Sequence, residues 1–175
     1  RAMGESSEVT SRMIKKNIGF YAVNPVDEDF LNGRVFDIIV NFDVIEHLAT
    51  GVPAFIEKLS GKLSDNGRLI VSTPNQVHLL NRAQSLMGYN TWADFEYYIT
   101  CESFFGHVRE LTKYEFEHLL NLSCMNVEII GRTHHFNKFG MLGRVSPLLI
   151  FLGYLFDKFC PTMSYQLFGV GKRKY

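Results

Sequence analysis

Two nearly unbroken runs of apolar residues, Phe36–Phe42 (FDIIVNF) and Arg68–Thr73 (RLIVST), lie in the first half of the chain. Such runs are typical of parallel strands that are buried on both faces of a sheet. Between them, from about Val52 to Leu63, apolar residues recur at the spacing of an amphipathic helix. Asp65-Asn66-Gly67 then supplies turn-forming residues. The pattern predicts a strand, a helix, a turn and a second buried strand.

The flanking segments continue this alternation of helical and extended patterns. A TxxE capping box at Thr112 and Glu115 predicts a helix that ends near Leu122. Residues 75–106 lack strand character and are predicted to form a helical or loop insertion. The other predicted elements are helices at Glu8–Asn17 and about 144–158, and strands at Gly19–Val23, Val127–Ile130 and Ser164–Lys172. This order predicts an α/β fold with a doubly wound sheet.

The composition fits one globular domain that acts on something other than nucleic acid. Of the 175 residues, 46% are hydrophobic and 21% are charged, which is too apolar for a disordered chain. The 18 Lys and Arg balance the 18 Asp and Glu, whereas duplex nucleic-acid binders normally carry a basic excess. Aromatic residues make up 14% of the chain, which fits either an apolar ligand pocket or a Phe-rich core.

The cysteines indicate a reducing compartment, and the apolar stretches do not indicate a transmembrane segment. The cysteines are odd in number and contain no CxxC pair, so they suggest neither a disulfide framework nor a zinc cluster: Cys101, Cys124 and Cys160. No signal-peptide pattern opens the chain, and Val145–Phe156 is too short to cross a bilayer. We therefore predict a cytoplasmic protein with no transmembrane segment. The stretch Leu142–Phe159 is either a helix that covers the core or a contact with a membrane surface or lipid substrate.

Four stretches, in the right order and spacing, resemble the class I S-adenosylmethionine-dependent methyltransferase family. They are FDIIVNFDVIEHL (Phe36–Leu48), LSGKLSDNGRLIVSTPN (Leu59–Asn75), HVRELTKYEFEHLL (His107–Leu120) and the closing strand before Gly171–Lys174. The resemblance implies a Rossmann-like, doubly wound, mostly parallel sheet with an antiparallel final strand. It also implies that residues 1–175 form a single methyltransferase-like domain, with the insertion at about 75–106.

The family's glycine-rich cofactor loop has no counterpart in this sequence, since nothing like GxGxG occurs before Gly4. We therefore expect an N-terminally truncated domain, its C-terminal part, that binds the cofactor S-adenosylmethionine poorly in isolation. The resemblance assigns Glu5 to the cofactor's ribose, and a carboxylate can accept from two adjacent hydroxyls. It assigns Asn24 to the adenine amino group, and Asn41 and Phe42 to the methionine part. Glu5 could equally start a helix and Asn24 a turn.

The segment Asp43-Val44-Ile45-Glu46-His47 suggests a metal site. In a helix that starts near Asp43, residues i, i+3 and i+4 share one face, so Asp43, Glu46 and His47 would converge. Two carboxylates and an imidazole suit a divalent cation such as Mg²⁺. The segment is similar to that of the ubiquinone-pathway O-methyltransferases and the small-RNA 2′-O-methyltransferases, and the resemblance to the latter adds His107 as a fourth ligand. The alternative is that Glu46, His47 and His107 line the pocket or act as catalytic acids and bases.

The resemblance implies methyl transfer to oxygen on a small molecule, glycan or lipid precursor. Two alternatives stay open: a non-catalytic methyltransferase-like interaction module, and a fragment of an RNA 2′-O-methyltransferase, which the neutral charge disfavours. The aromatic residues of the insertion either form a lid over the sulfonium or pack on the sheet: Trp92, Phe95, Tyr97, Tyr98, Phe104 and Phe105. The sequence predicts no particular oligomeric state.

Overall fold

The computed structural model divides the chain into two compact units, Arg1–Gly33 and Arg34–Tyr175. The residues that the structure describes lie almost entirely in the second unit: 33–92, 95–101, 106–123, 125–133, 155, 158–160 and 162–174, together with Lys15 and Lys16. The helices predicted at Glu8–Asn17 and 144–158, apart from these single positions, and the strand predicted at Gly19–Val23 lie outside the described residues.

The described part of the second unit is a four-stranded sheet with helices between the strands. Its elements are β1 (Phe36–Phe42), a 3-10 turn (Ile45–His47), α1 (Val52–Ser60), β2 (Leu63–Pro74), α2 (Leu79–Leu86), α3 (Phe95–Thr100), α4 (Lys113–Leu122), β3 (Met125–Thr133) and β4 (Gln166–Arg173). The strand order is β1-β2-β4-β3. β1 and β2 run parallel, whereas β4 runs antiparallel to both β2 and β3. The predicted α/β sheet with an antiparallel final strand is confirmed.

The prediction for β1 is confirmed in its bounds and wrong in its burial. Ile38, Val40 and Phe42 are 65%, 56% and 51% exposed, and these alternate residues share one face of the strand. On the other face Asn41 is buried. Among the described residues β1 is the edge strand of the sheet and pairs with β2 alone. An apolar run therefore predicted the strand correctly but could not reveal that one of its faces is open.

β2 begins five residues earlier than the predicted strand, and it contains the predicted turn. Phe36 pairs with Leu63 and Ile38 with Arg68, so residues 64–67 form a bulge in β2 rather than a turn before it. Position 67 of this bulge requires a glycine, because a Cβ there would lie only 2.9 Å from the Phe36 carbonyl oxygen. The predicted turn residues therefore lie where β1 and β2 approach each other closely.

The core lies on the face of the sheet that carries α1 and α4. Its apolar side chains are almost wholly buried: Phe55, Ile56, Leu59, Leu69, Val71, Phe116, Leu120 and Leu167. α4 begins with the predicted capping box, since the Glu115 backbone N–H donates to Thr112 Oγ1 and the Thr112 backbone N–H donates to Glu115 Oε2. This cap fixes the point at which the preceding segment, 106–111, joins the N-terminus of α4.

The predicted insertion contains two short helices, α2 and α3, and neither has a buried residue. Large apolar side chains of this region are exposed to solvent, including Leu86 (89% exposed) and Phe95 (68% exposed). The predicted strands at 127–130 and 164–172 correspond to β3 and β4, with bounds shifted by one to three residues. Among the described residues, no helix is both long and apolar enough to span a membrane.

Candidate functional site

The candidate site lies where β1 and β2 end. Because the two strands are parallel, the residues that follow Phe42 and Pro74 meet at one edge of the sheet, which is where doubly wound sheets bind ligands. Asn41 is 8% exposed, and its Oδ1 atom has no hydrogen-bond partner among the described residues. Phe42 is half exposed and contacts Phe168 edge to face, with 6.3 Å between ring centroids. Both predicted lining residues are therefore at the expected edge, on opposite faces of β1.

Asp43, the first residue of the predicted metal cluster, is held by hydrogen bonds to two strands. Its Oδ1 accepts from Ser72 Oγ at 2.9 Å and from Gln166 Nε2 at 2.6 Å, so the carboxylate is bound to β2 and β4. Its backbone has a positive φ of 53°, which ends the strand in a sharp bend rather than starting a helix. The prediction that Asp43 shares a helix face with Glu46 and His47 is wrong, because the 3-10 turn begins only at Ile45.

Glu46 is the most deeply buried ionisable group of the site. It is 1% exposed, its Oε2 accepts from Thr73 Oγ1 at 3.3 Å, and its Oε1 has no partner among the described residues. Burial raises the pKa of the Glu46 carboxyl above its ordinary value, with the nearby Asp43 charge adding to the effect. Its backbone oxygen accepts from the N–H groups of Val108 and Arg109 at 2.7 and 3.1 Å. Glu46 therefore carries a desolvated carboxyl and also holds segment 106–111 against the 3-10 turn.

His47 and His107 face each other, with ring centroids 4.8 Å apart and planes inclined by 76°. His47 Nδ1 lies 3.1 Å from the Gly106 carbonyl oxygen, and His107 Nδ1 lies 2.6 Å from Glu110 Oε1. A carbonyl oxygen and a carboxylate oxygen both accept hydrogen bonds, so these contacts favour the neutral tautomer of each imidazole in which Nδ1 carries the proton and Nε2 the lone pair. One ligand atom each from Glu46, His47 and His107 can be chosen so that all lie within 4.8 Å of one another.

A cavity of about 310 Å³, the head cavity, opens beside His107. Its lining residues come from three places, the end of β2, the insertion and segment 106–111: Gln76, Thr91, Trp92, Tyr97, Gly106, His107 and Glu110. Trp92 and Tyr97 of the insertion's predicted aromatic run therefore line a cavity. Gln76 Nε2 donates to Thr91 Oγ1 at 3.2 Å, which joins the insertion to the end of β2.

The structure brings together three of the four residues that were predicted as metal ligands, Glu46, His47 and His107. The sequence did not predict the residues that hold these side chains in place. Glu110 and Thr73, which hold His107 and Glu46, were not predicted. The i, i+3 spacing of His107 and Glu110 is the signal that could have shown the first. Glu5 and Asn24, predicted to bind the cofactor, lie outside the described residues.

A protein-family model described as a methyltransferase domain matches residues 5–122. Among solved structures, the chain is similar to a 1,6-didemethyltoxoflavin-N1-methyltransferase from Burkholderia thailandensis with bound 1,6-didemethyltoxoflavin and S-adenosylhomocysteine. The identity is 13% and the TM-score 0.55, over 98% of this chain and 57% of that one. It is similar to the N-methyltransferase NodS from Bradyrhizobium japonicum WM9 in complex with S-adenosylhomocysteine (12% identity, TM-score 0.53, 99% and 64% covered).

A third similar structure is an O-methyltransferase family protein from Burkholderia thailandensis, with 12% identity, a TM-score of 0.54, and coverage of 96% and 39%. A search of curated proteins found no significant match. The chain spans between 39% and 64% of the length of these three proteins. The match to the family model extends over more than half of the chain and includes β1, β2 and the convergent histidines. The chain therefore belongs to the methyltransferase domain family.

Proposed function

We propose that this chain forms the acceptor side of an S-adenosylmethionine-dependent methyltransferase that methylates oxygen on a small molecule, glycan or lipid precursor. The observation that carries the proposal is the pair of imidazoles at the carboxyl ends of β1 and β2. Each is held through Nδ1 by an acceptor, and His107, against which the His47 ring packs, lines the head cavity. Family membership and the likeness to structures that hold S-adenosylhomocysteine support the choice of cofactor.

The residues at the end of β1 fit the methionine part of that cofactor. Asn41 Oδ1 is a buried acceptor that has no hydrogen-bond partner among the described residues, and such an atom is costly to leave unsatisfied. An ammonium group is a donor that would satisfy it. Phe42 offers an apolar surface at the same edge. The assignments of Glu5 to the ribose and of Asn24 to the adenine remain part of the proposal. When bound, the cofactor supplies a methyl group that is already activated by a sulfonium.

His107 is the better placed of the two proposed bases. It lines the head cavity, and Glu110 holds its Nε2 in the acceptor state. The Nε2 lone pair would take the proton of an acceptor hydroxyl as that oxygen forms its bond to the methyl carbon. The carboxylate of Glu110 stabilises the imidazolium that results, as the orienting acid does in other base dyads. His47, with its ring against His107, would complete the wall of the site.

A divalent cation such as Mg²⁺ or Mn²⁺ is a second candidate at Glu46, His47 and His107. The fit rests on two features: Glu46 Oε1 is buried and has no partner among the residues that the structure describes, and Nδ1 of each imidazole lies within hydrogen-bond distance of an oxygen acceptor, as in metal-bound histidines. Asp43 is not part of this set, because its carboxylate is bound to Ser72 and Gln166. A bound cation would lower the pKa of an acceptor hydroxyl.

The test uses the full-length protein and S-adenosylmethionine with a labelled methyl group, offered to pools of phenols, sugars and lipid extracts. We expect label on oxygen in one pool and its loss in His107→Ala. The matched control is His118→Ala, since His118 is exposed on α4. Absence of transfer to any pool, or full activity of His107→Ala, would contradict the proposal and favour a non-catalytic module. Activity that is unchanged by EDTA would rule out the cation.

A further inference from the structure

A second cavity, the tail cavity, lies beside the head cavity and has a different chemical character. It has a volume of about 440 Å³ and is lined by apolar side chains of the 3-10 turn, of α1 and of α4, among them Ile45, Val52 and Leu119. Among its described lining residues, the single charged one is Arg109, whose guanidinium is engaged by Glu115 Oε1 at 2.6 Å. The described lining of the tail cavity is therefore mainly apolar, and its one charge is paired.

Trp92 lines both cavities, so the two adjoin each other at this residue. The segment 106–111 also divides them. Gly106, His107 and Glu110 line the head cavity, whereas Val108, Arg109 and Leu111 line the tail cavity. This segment is fixed by main-chain hydrogen bonds to Glu46 and to Gln76, so the partition is part of the fold.

The aliphatic lining of the tail cavity is left partly in contact with solvent. Leu48, Val52 and Leu119 are only half-buried, and Trp92 is 59% exposed. Apolar side chains that line a concave surface next to convergent polar groups are the usual composition of a small-molecule site. A hydrocarbon group in the tail cavity would remove this surface from water, which is favourable.

We infer that the two cavities bind one amphipathic acceptor, with a hydroxylated head beside His107 and an apolar tail between α1 and α4. That this ligand is the methyl acceptor rests on the proposed function, but its binding does not require methyl transfer. The polar lining of the head cavity, with Gln76, Thr91 and Glu110, suits the hydroxyls of a sugar or similar head. Trp92 supplies the contact at which head and tail join.

The test uses Trp92, the single tryptophan of the chain, as the reporter. Its emission is recorded while methyl, hexyl and octyl β-D-glucoside are added below their micelle concentrations, and affinities are repeated by calorimetry. We expect a shift of the emission to shorter wavelength and binding that strengthens about fourfold for each added methylene, the factor for full burial of a methylene. Affinities that do not depend on tail length would overturn the inference.

A variant whose side chain fills the tail cavity supplies the second part of the test. Ala49 is exposed and lines this cavity, so Ala49→Phe should weaken octyl glucoside about tenfold or more and leave methyl glucoside unchanged. Ala54→Phe, at an exposed position of α1 outside the cavity lining, is the matched control and should bind like the wild type. Equal loss in both variants, or in neither, would contradict the inference. The proposed function is tested separately, by the methyl-transfer assay described above: failure of methyl transfer alone speaks against the proposed function, whereas loss of tail dependence speaks against the amphipathic site.

Discussion

Replacing the buried carboxyl of Glu46 by an amide is expected to make the metal-free protein more stable. In Glu46→Gln the side chain keeps its shape and can still accept from Thr73 Oγ1. The amide is neutral, so it removes the cost of placing an ionised carboxylate at a position that is 1% exposed and where Oε1 has no partner among the described residues. An unsatisfied buried neutral group costs about 1–3 kcal/mol and a charged group costs more. We therefore expect the free energy of unfolding to rise by about 1 kcal/mol.

The measurement is thermal unfolding in EDTA at neutral pH, followed by circular dichroism. For a domain of this size a gain of about 1 kcal/mol raises Tm by about 2–4 °C. The control is Glu57→Gln, because Glu57 is exposed on α1, and its Tm should stay within the error of the wild type. A Tm of Glu46→Gln equal to or below that of the wild type would refute the reasoning. It would mean that interactions such as those with the nearby imidazoles of His47 and His107 stabilise the carboxylate more than burial penalises it.

Two further predictions concern the scaffold around the site. Gly169→Ala should lower the free energy of unfolding by about 1–3 kcal/mol, because the new methyl group would overlap Leu120 Cδ1 in the core. The measurement is urea unfolding, and an unchanged urea concentration at the midpoint would contradict this packing. Glu115→Gln should lower stability at neutral pH and not in acid. The Thr112 backbone N–H holds the pKa of the Glu115 carboxyl below its ordinary value of 4.5, so the stabilisation is present above that value and is lost as pH falls through the lowered one. A difference between wild type and Glu115→Gln that does not depend on pH would contradict this account.

The sequence predicted those features that depend on local pattern. The strand Phe36–Phe42 was found because its residues are almost all apolar, and α4 because Thr112 and Glu115 form a cap that needs only its own four residues. Burial of Ile38 and Val40 was predicted wrongly, since it depends on which elements lie next to the strand and not on the strand itself.

The site was predicted in part for the same reason. Glu46 and His47 are adjacent in sequence, and the resemblance supplied His107, so their convergence could be anticipated. Asp43 was placed with them by helical spacing, which fails because the chain bends at Asp43 before the 3-10 turn begins. The contact of Asp43 with Gln166 joins residues 123 positions apart, and no local periodicity reports it.

The attachment of segment 106–111 through the Glu46 carbonyl has an evolutionary consequence. The donors at positions 108 and 109 are main-chain N–H groups, which every amino acid except proline supplies. Side chains at these two positions can therefore be exchanged while the tether that presents the imidazole persists. Related proteins could acquire new substrate ranges through such exchanges without rebuilding the proton-transfer geometry that we propose, and proline is the one residue that selection should exclude there.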